Sequence, residues 1–237
     1  MNPATTKEVV ELARASDVEG LVICPPFPFL EAVGKTTKRA ALGAQDVFWE
    51  NPKGGGPYTG EVSAAELKNL GVKYVIVGHS ERRANLGETD EMVANKVRAA
   101  LDAGLAPILC VGESKKAREG SERHAVLKRQ LEVGLSKMRT CQDKFLVAYE
   151  PLWAISTSKE HIPDTPVDTV QTINFLEKVF AAFCPDAKPV FIYGGSVNPG
   201  NAEGFLREKK IQGALVGGAS LRADEIKKIV ETARKYS

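Results

Sequence analysis

The sequence predicts an α/β fold of repeated strand-then-helix units, and three observations carry that prediction. Short apolar runs alternate with longer amphipathic ones along the chain. The short runs are continuous rather than alternating, as in parallel strands buried on both faces. No Pro-, Gly- or Ser-rich linker and no shift in composition divides the 237 residues, so one domain over 1–237 is expected.

The first element is a helix. In MNPATTKEVVELARAS, Pro3 tolerates a missing N–H, Thr5 or Thr6 can cap, and Val9, Val10, Leu12 and Ala13 recur at helical spacing. Strands are then predicted at 20–25, 39–46, 73–79, 106–112, 145–150, 189–195 and 213–218, each bounded by Gly, Pro or charge. Helices are predicted between them at 27–36, 63–70, 88–103, 118–139, 166–183, 200–209 and 221–236. Ser63 and Glu66 have capping-box spacing, and Asp164-Thr165-Pro166 reads as a cap with a first-turn proline. Such units leave two solutions, a doubly wound open sheet or a closed (β/α)8 barrel. Seven strands against eight helices, with the surplus helix in front, fit a barrel lacking its first strand. The length, near the ~250 residues usual for such barrels, points the same way.

Composition excludes several classes. Hydrophobic content of 43% and charged content of 26% suit a soluble globular protein, and a net charge of +2 supplies no basic field for nucleic acid or an anionic membrane. No apolar run approaches the ~18–20 residues of a membrane span, and no signal-peptide pattern stands at the front, so a cytoplasmic location is expected. Cys24, Cys110, Cys141 and Cys184 are far apart, without zinc-site spacing, so four reduced thiols are expected.

In an α/β barrel, polar residues at the carboxyl ends of strands are the candidates for chemistry. VIVGHSERR places His79 after a buried run, followed by Ser80, Glu81, Arg82 and Arg83. FLVAYE ends on Glu150, and the last two strands end in YGGS (193–196) and VGG (216–218), where glycines let backbone amides approach an anion. Singly, each has an ordinary explanation: a structural histidine, a solvated loop, tight turns. Together they suggest a phosphate grip beside a carboxylate base and an imidazole, which suits proton abstraction next to a carbonyl.

Six ordered segments carry a more specific message. GAQD (43–46), YTGEVS (58–63), GHSERR (78–83), AYEPLWA (148–154), YGGSV (193–197) and LVGGASL (215–221) resemble the signature segments of the triosephosphate isomerases. The resemblance runs from Met1 to the C-terminus and implies a TIM barrel. It implies interconversion of dihydroxyacetone phosphate and glyceraldehyde 3-phosphate through an enediolate, without cofactor or metal. By the same resemblance, Glu150 is the base, His79 the neutral electrophile, and Glu81 a supporting carboxylate. Ser156, Ser196, Gly217 and Gly218 match positions whose backbone amides hold the phosphate.

Pro151–Ser158 matches the mobile lid that keeps water from the enediolate. The family pattern A-I-G-T-G is here A-I-S-T-S, so Ser156 and Ser158 restrict backbone conformations of positive φ, and altered lid kinetics are expected. Loop 45–61 matches the segment that inserts into a neighbouring subunit, with Thr59 and Glu61 at contact positions, which implies a homodimer or higher homo-oligomer. His124 and His161 lie in polar surroundings and are expected at the surface.

The family's first strand ends in N-W-K-M-N, and this chain begins at M-N. The matching strand and its lysine are absent from the sequence, which implies impaired activity. A barrel without one strand has two unpaired edges. It can close on seven strands, stay open or cover its edges by association. A non-catalytic barrel that keeps phosphate binding or a structural role is the alternative reading. A different phosphate-handling barrel leaves GHSERR and AYEPLWA unexplained.

Overall fold

A computed structural model describes residues 3–51, 56–139, 141, 145–155 and 162–236. Helix α1 (Thr6–Ala15) opens on a capping box in which Thr5 accepts the Glu8 amide and the Glu8 carboxylate accepts the Thr5 amide. Strand β1 (Val22–Ile23) leads through a 3-10 turn (Phe27–Phe29) into α2 (Leu30–Thr36). Asp17, just past α1, accepts the backbone N–H groups of Lys38, Arg39 and Ala40 at 2.8–2.9 Å, fixing where β2 (Ala41–Ala44) begins.

The chain continues through α3 (Ala64–Asn69), β3 (Tyr74–Val77), α4 (Ser80–Leu86), α5 (Asp90–Asp102), β4 (Ala106–Val111), α6 (Lys115–Glu119) and α7 (Arg123–Leu135). Strand β5 (Leu146–Tyr149), α8 (Pro166–Phe183), β6 (Val190–Tyr193), α9 (Ala202–Leu206) and α10 (Ala223–Tyr236) complete it. Ser63 and Glu66 form the expected capping box on α3, and Thr165 caps α8 with Pro166 at its first turn.

The six strands pair in parallel in chain order β1 to β6. Alternation along them builds two apolar layers. Val75, Val77, Leu109, Val111, Val147 and Phe191 join the core shared with the helices. Ile76, Ile108, Cys110, Ala148 and Ile192 meet on the other face, inside the curl of the sheet. This is the (β/α)8 architecture with one side open.

Three expectations are corrected. Residues 213–218 contribute only a parallel bridge between Ala214 and Tyr193, so the described residues form six strands and ten α-helices rather than seven and eight. A strand needs a partner on at least one long edge to hold its length, and this segment has β6 for a single residue. The helix expected over 118–139 is two, broken at Gly120 and at Ser121, whose φ is +63°. Residues 80–86 form a helix that their polar sequence did not signal.

The cysteine expectation is corrected as well. Cys141 and Cys184 form a disulfide across 43 residues of sequence, with Cα atoms 5.5 Å apart, while Cys24 and Cys110 are free. The segment after α7 returns beside the end of α8, a proximity that sequence spacing does not reveal.

Candidate active site

His79 owes its position to the residue before it. Gly78 turns the chain out of β3 with φ +74°, and an added Cβ would stand 2.9 Å from Arg83 Nη2 and 3.0 Å from Val93. Arg83 donates from Nε to the Gly78 carbonyl at 2.7 Å and from Nη1 to Asp90 at 2.6 Å, holding the turn. His79 then caps α4, its Nδ1 accepting the Glu81 amide at 3.3 Å. That leaves the proton on Nε2, directed at Glu150 Oε1, 3.1 Å away.

Glu150 follows β5 and is 2% exposed. Its amide donates to the Val111 carbonyl at 2.8 Å, and Oε2 accepts the Ser80 amide at 3.2 Å. Two glycines make room for it. A Cβ at Gly194 would stand 2.7 Å from Glu150 Cγ, and one at Gly112 would stand 1.8 Å from the Glu150 carbonyl oxygen. Burial depresses the His79 pKa, but the hydrogen bond and charge of Glu150, with a contribution from Glu81, raise it above its ordinary value. The Nδ1 contact favours the neutral ring and the Glu150 contact favours the charged one. The net direction is upward while the two side chains touch.

Behind Glu150 lies a buried polar cluster that the sequence reading passed over. Glu113, fully buried, accepts from Tyr149 Oη and Trp153 Nε1, both at 3.0 Å. Arg123 reaches Tyr149 Oη at 3.1 Å and Asp168 at 2.9 Å, and it also bonds Thr172. The Arg118 guanidinium stacks 3.8 Å over the Trp153 ring and pairs with Asp168 at 2.8 Å. The segment leaving Glu150 is therefore clamped at Trp153. Glu113 carried the same signal as Glu150, a carboxylate just past an apolar strand.

A second buried cluster steadies α4. Arg82 pairs with Asp46 at 2.8 Å and Glu88 at 2.9 Å, and Lys96 of α5 pairs with both carboxylates. Burial raises the Asp46 pKa against the pull of Lys96 and Arg82, while for Glu88 those two cations outweigh burial and lower it.

The anticipated phosphate positions are only partly brought together. Gly217 and Gly218 line the cavity beside His79 and Glu150, and an added Cβ at either meets nothing within 4 Å. The Ser196 amide is already engaged, donating to the Ala154 carbonyl at 3.1 Å. Glu81 lines the same mouth with its side chain exposed. Ser156, Ser158 and His161 lie outside the described residues, and His124 is exposed, its ring 4.3 Å from that of Phe175. Thr59 and Glu61 are exposed. Among the described residues no cluster of three or more His, Cys, Asp or Glu is placed to hold a metal, and no helix is long and apolar enough to cross a membrane.

The sequence profile of the triosephosphate isomerase family matches residues 2–233. The triosephosphate isomerase of Endomicrobium trichonymphae is 41% identical over 246 aligned positions, covering 98% of this chain and 94% of the relative. That of Carboxydothermus hydrogenoformans is 44% identical over 221, covering 91% and 86%. The crystal structure of triosephosphate isomerase from Bartonella henselae superposes with a TM-score of 0.85 at 34% identity, covering 98% of this chain and 95% of that one. Profile, identity and fold agree over nearly the whole length, and the chain belongs to the triosephosphate isomerase family of intramolecular isomerases.

Proposed function

We propose that this chain interconverts dihydroxyacetone phosphate and glyceraldehyde 3-phosphate by moving one proton between adjacent carbons. The observation that supports it is the juxtaposition of Glu150 and His79 at 3.1 Å, at a cavity mouth where Gly217 and Gly218 present open backbone. Glu150 takes the proton from the carbon beside the carbonyl, and His79 donates from Nε2 to the developing oxyanion. Glu81 supports His79 through its amide and adds negative charge at the mouth. The amides of Gly217, Gly218, Ser196 and Ser156 receive the phosphate, Ser196 once its bond to Ala154 is released. The chemistry calls for no cofactor. Assembly as a homodimer or higher homo-oligomer uses loop 45–61, where Thr59 and Glu61 stand exposed.

Among the described residues at the mouth, the Arg82 guanidinium is occupied by Asp46 and Glu88, so it is not free to meet the substrate phosphate, and reduced turnover is part of this reading. Losing one preorganised donor costs on the order of 10²–10³ in rate. The same observation favours a second reading, a barrel that binds phosphate without turnover. An isomerase assay of this chain beside a version carrying a family-like first strand and lysine tests both. Activity of the extended form alone assigns the defect to the first strand and its lysine taken together. If both fold and neither turns over, the enzyme reading of the site fails.

A further inference from the structure

One carboxylate oxygen holds the chain on both sides of Glu150. Tyr149, the residue before it, and Trp153, in the turn after it, donate from Oη and Nε1 to the same Glu113 Oε1, each at 3.0 Å. Glu113 is wholly buried, and its backbone carbonyl accepts the Leu152 amide at 3.1 Å. The backbone carbonyl of Glu150 in turn lies against Gly112, where no Cβ has room. A shift at Glu113 therefore moves the backbone that carries the Glu150 side chain.

The cation facing this oxygen is Arg123, at the start of α7. Its Nε stands 3.4 Å from Glu113 Oε1, and its Nη2 donates to Tyr149 Oη at 3.1 Å. A guanidinium only donates, so the Tyr149 hydroxyl accepts from Arg123 and directs its own proton at Glu113. Helix α8 fixes the far side: Arg123 Nη1 donates to Asp168 Oδ1 at 2.9 Å, and Nη2 bonds the Thr172 hydroxyl. Asp168 also takes Arg118, whose guanidinium lies 3.8 Å over the Trp153 ring, and Asp164 adds negative charge toward Tyr149. Among the described residues, Arg123 is the one cation that pairs with Glu113.

We infer that Arg123 is a positioning residue for the Glu150 carboxylate, acting through Glu113 on the segment from Tyr149 to Trp153; the inference rests on the isomerase reading of Glu150. A fully buried carboxylate with no cation beside it takes up a proton far more readily than an exposed one. Protonation of Glu113 turns two charge-assisted hydrogen bonds into neutral ones of about half the strength. The segment then loses the hold that keeps Glu150 Oε1 3.1 Å from His79 Nε2. Misplacing a reacting group by about 1 Å costs on the order of 10² in rate, even when the altered residue is far from the chemistry. Arg123 touches neither His79 nor Glu150, so its effect travels only through this frame.

The test compares the whole parent chain with Arg123→Met, Arg123→Lys and the charge-neutral pair Glu113→Gln/Arg123→Met, each well below its melting temperature. Two quantities are read: the NMR titration of His79, which reports whether Glu150 still faces it, and the pH dependence of turnover. In Arg123→Met the His79 pKa is expected to fall toward its ordinary value and turnover to drop at least tenfold. Its pH profile is expected to gain a titration step that the double variant lacks. Arg123→Lys and the double variant are expected to recover the parent's His79 titration, one by restoring the charge and the other by removing the need for it. A folded Arg123→Met with the parent's titration and pH profile overturns the inference, and so does a double variant as impaired as the single one. Where Arg123→Met does not fold, the double variant decides: folded with the parent's His79 titration it supports the inference, and any other result overturns it. An inactive parent counts against the isomerase reading alone, because the His79 titrations need no turnover and still judge Arg123.

Discussion

The imidazole Nε2 of His79 and the carboxylate Oε1 of Glu150 are 3.1 Å apart, although 71 positions separate them in the chain. Each is held from behind by backbone: the Glu81 amide on His79 Nδ1 and the Ser80 amide on Glu150 Oε2. One turn of α4 thus orients both groups.

Glu150→Gln keeps the shape and removes the base and the charge. Turnover is expected to fall about 10²–10⁴-fold. The His79 pKa, followed by NMR, is expected to drop, since Glu150 is what raises it. A histidine raised in the folded state stabilises below its ordinary pKa of 6.5, and that contribution is lost as pH rises through the folded value. The parent should therefore lose stability across that window and the variant less. An unchanged His79 titration would falsify the pairing.

Gly194→Ala and Gly112→Ala separate two kinds of crowding. At 194 the new methyl meets the Glu150 side chain at 2.7 Å, which can swing away, so activity drops at least tenfold while stability falls about 1–3 kcal/mol. At 112 it meets the Glu150 carbonyl oxygen at 1.8 Å, and backbone must move, so a loss above about 4 kcal/mol is expected. Urea melts beside turnover numbers check this, and a milder effect at 112 than at 194 would contradict the geometry.

Glu113→Leu removes the acceptor of the Tyr149 hydroxyl and of the Trp153 indole N–H, and the carboxylate facing Arg123 Nε. Removing one partner from such a buried ionic cluster costs about 3–5 kcal/mol. Trp153→Phe removes one donor and is expected to cost about 1–2 kcal/mol. Thermal unfolding should rank the variants in that order. Trp153→Phe should also change turnover, because Trp153 clamps the segment leaving Glu150.

Reduction of Cys141–Cys184 opens a loop spanning 43 residues. Chain entropy for a loop of that length gives about 4 kcal/mol, so the melting temperature should fall measurably under reductant. Cys184→Ser should show the same lowered value with or without reductant. A parent insensitive to reductant would mean that the bridge contributes nothing to stability.

The amino-acid sequence by itself determined the repeating strand–helix order, because continuous apolar runs and amphipathic helices are local patterns. It also determined a cap at Thr5 or Thr6, the capping box at Ser63 and the placement of His79 and Glu150 at strand ends, each legible within a few residues. Its surplus of helices over strands pointed to a missing first strand and left closure undecided, and the two half-buried edges at Val22 and Ala214 show where the sheet opens.

Other features depended on long-range contact and had no local signature. The strand at 213–218 shrank to a bridge because a strand is made by its neighbours, and only one of its edges has one. The Cys141–Cys184 bond joins segments that only the packed helices bring together. Glu113 became a clamp because Tyr149 at the end of β5, Trp153 in the turn after it and Arg123 at the start of α7 converge on it. Sequence patterns report the surroundings a residue prefers. Which groups meet within 3–4 Å, and therefore which charges, acceptors and vacancies interact, is decided only when the sheet curls.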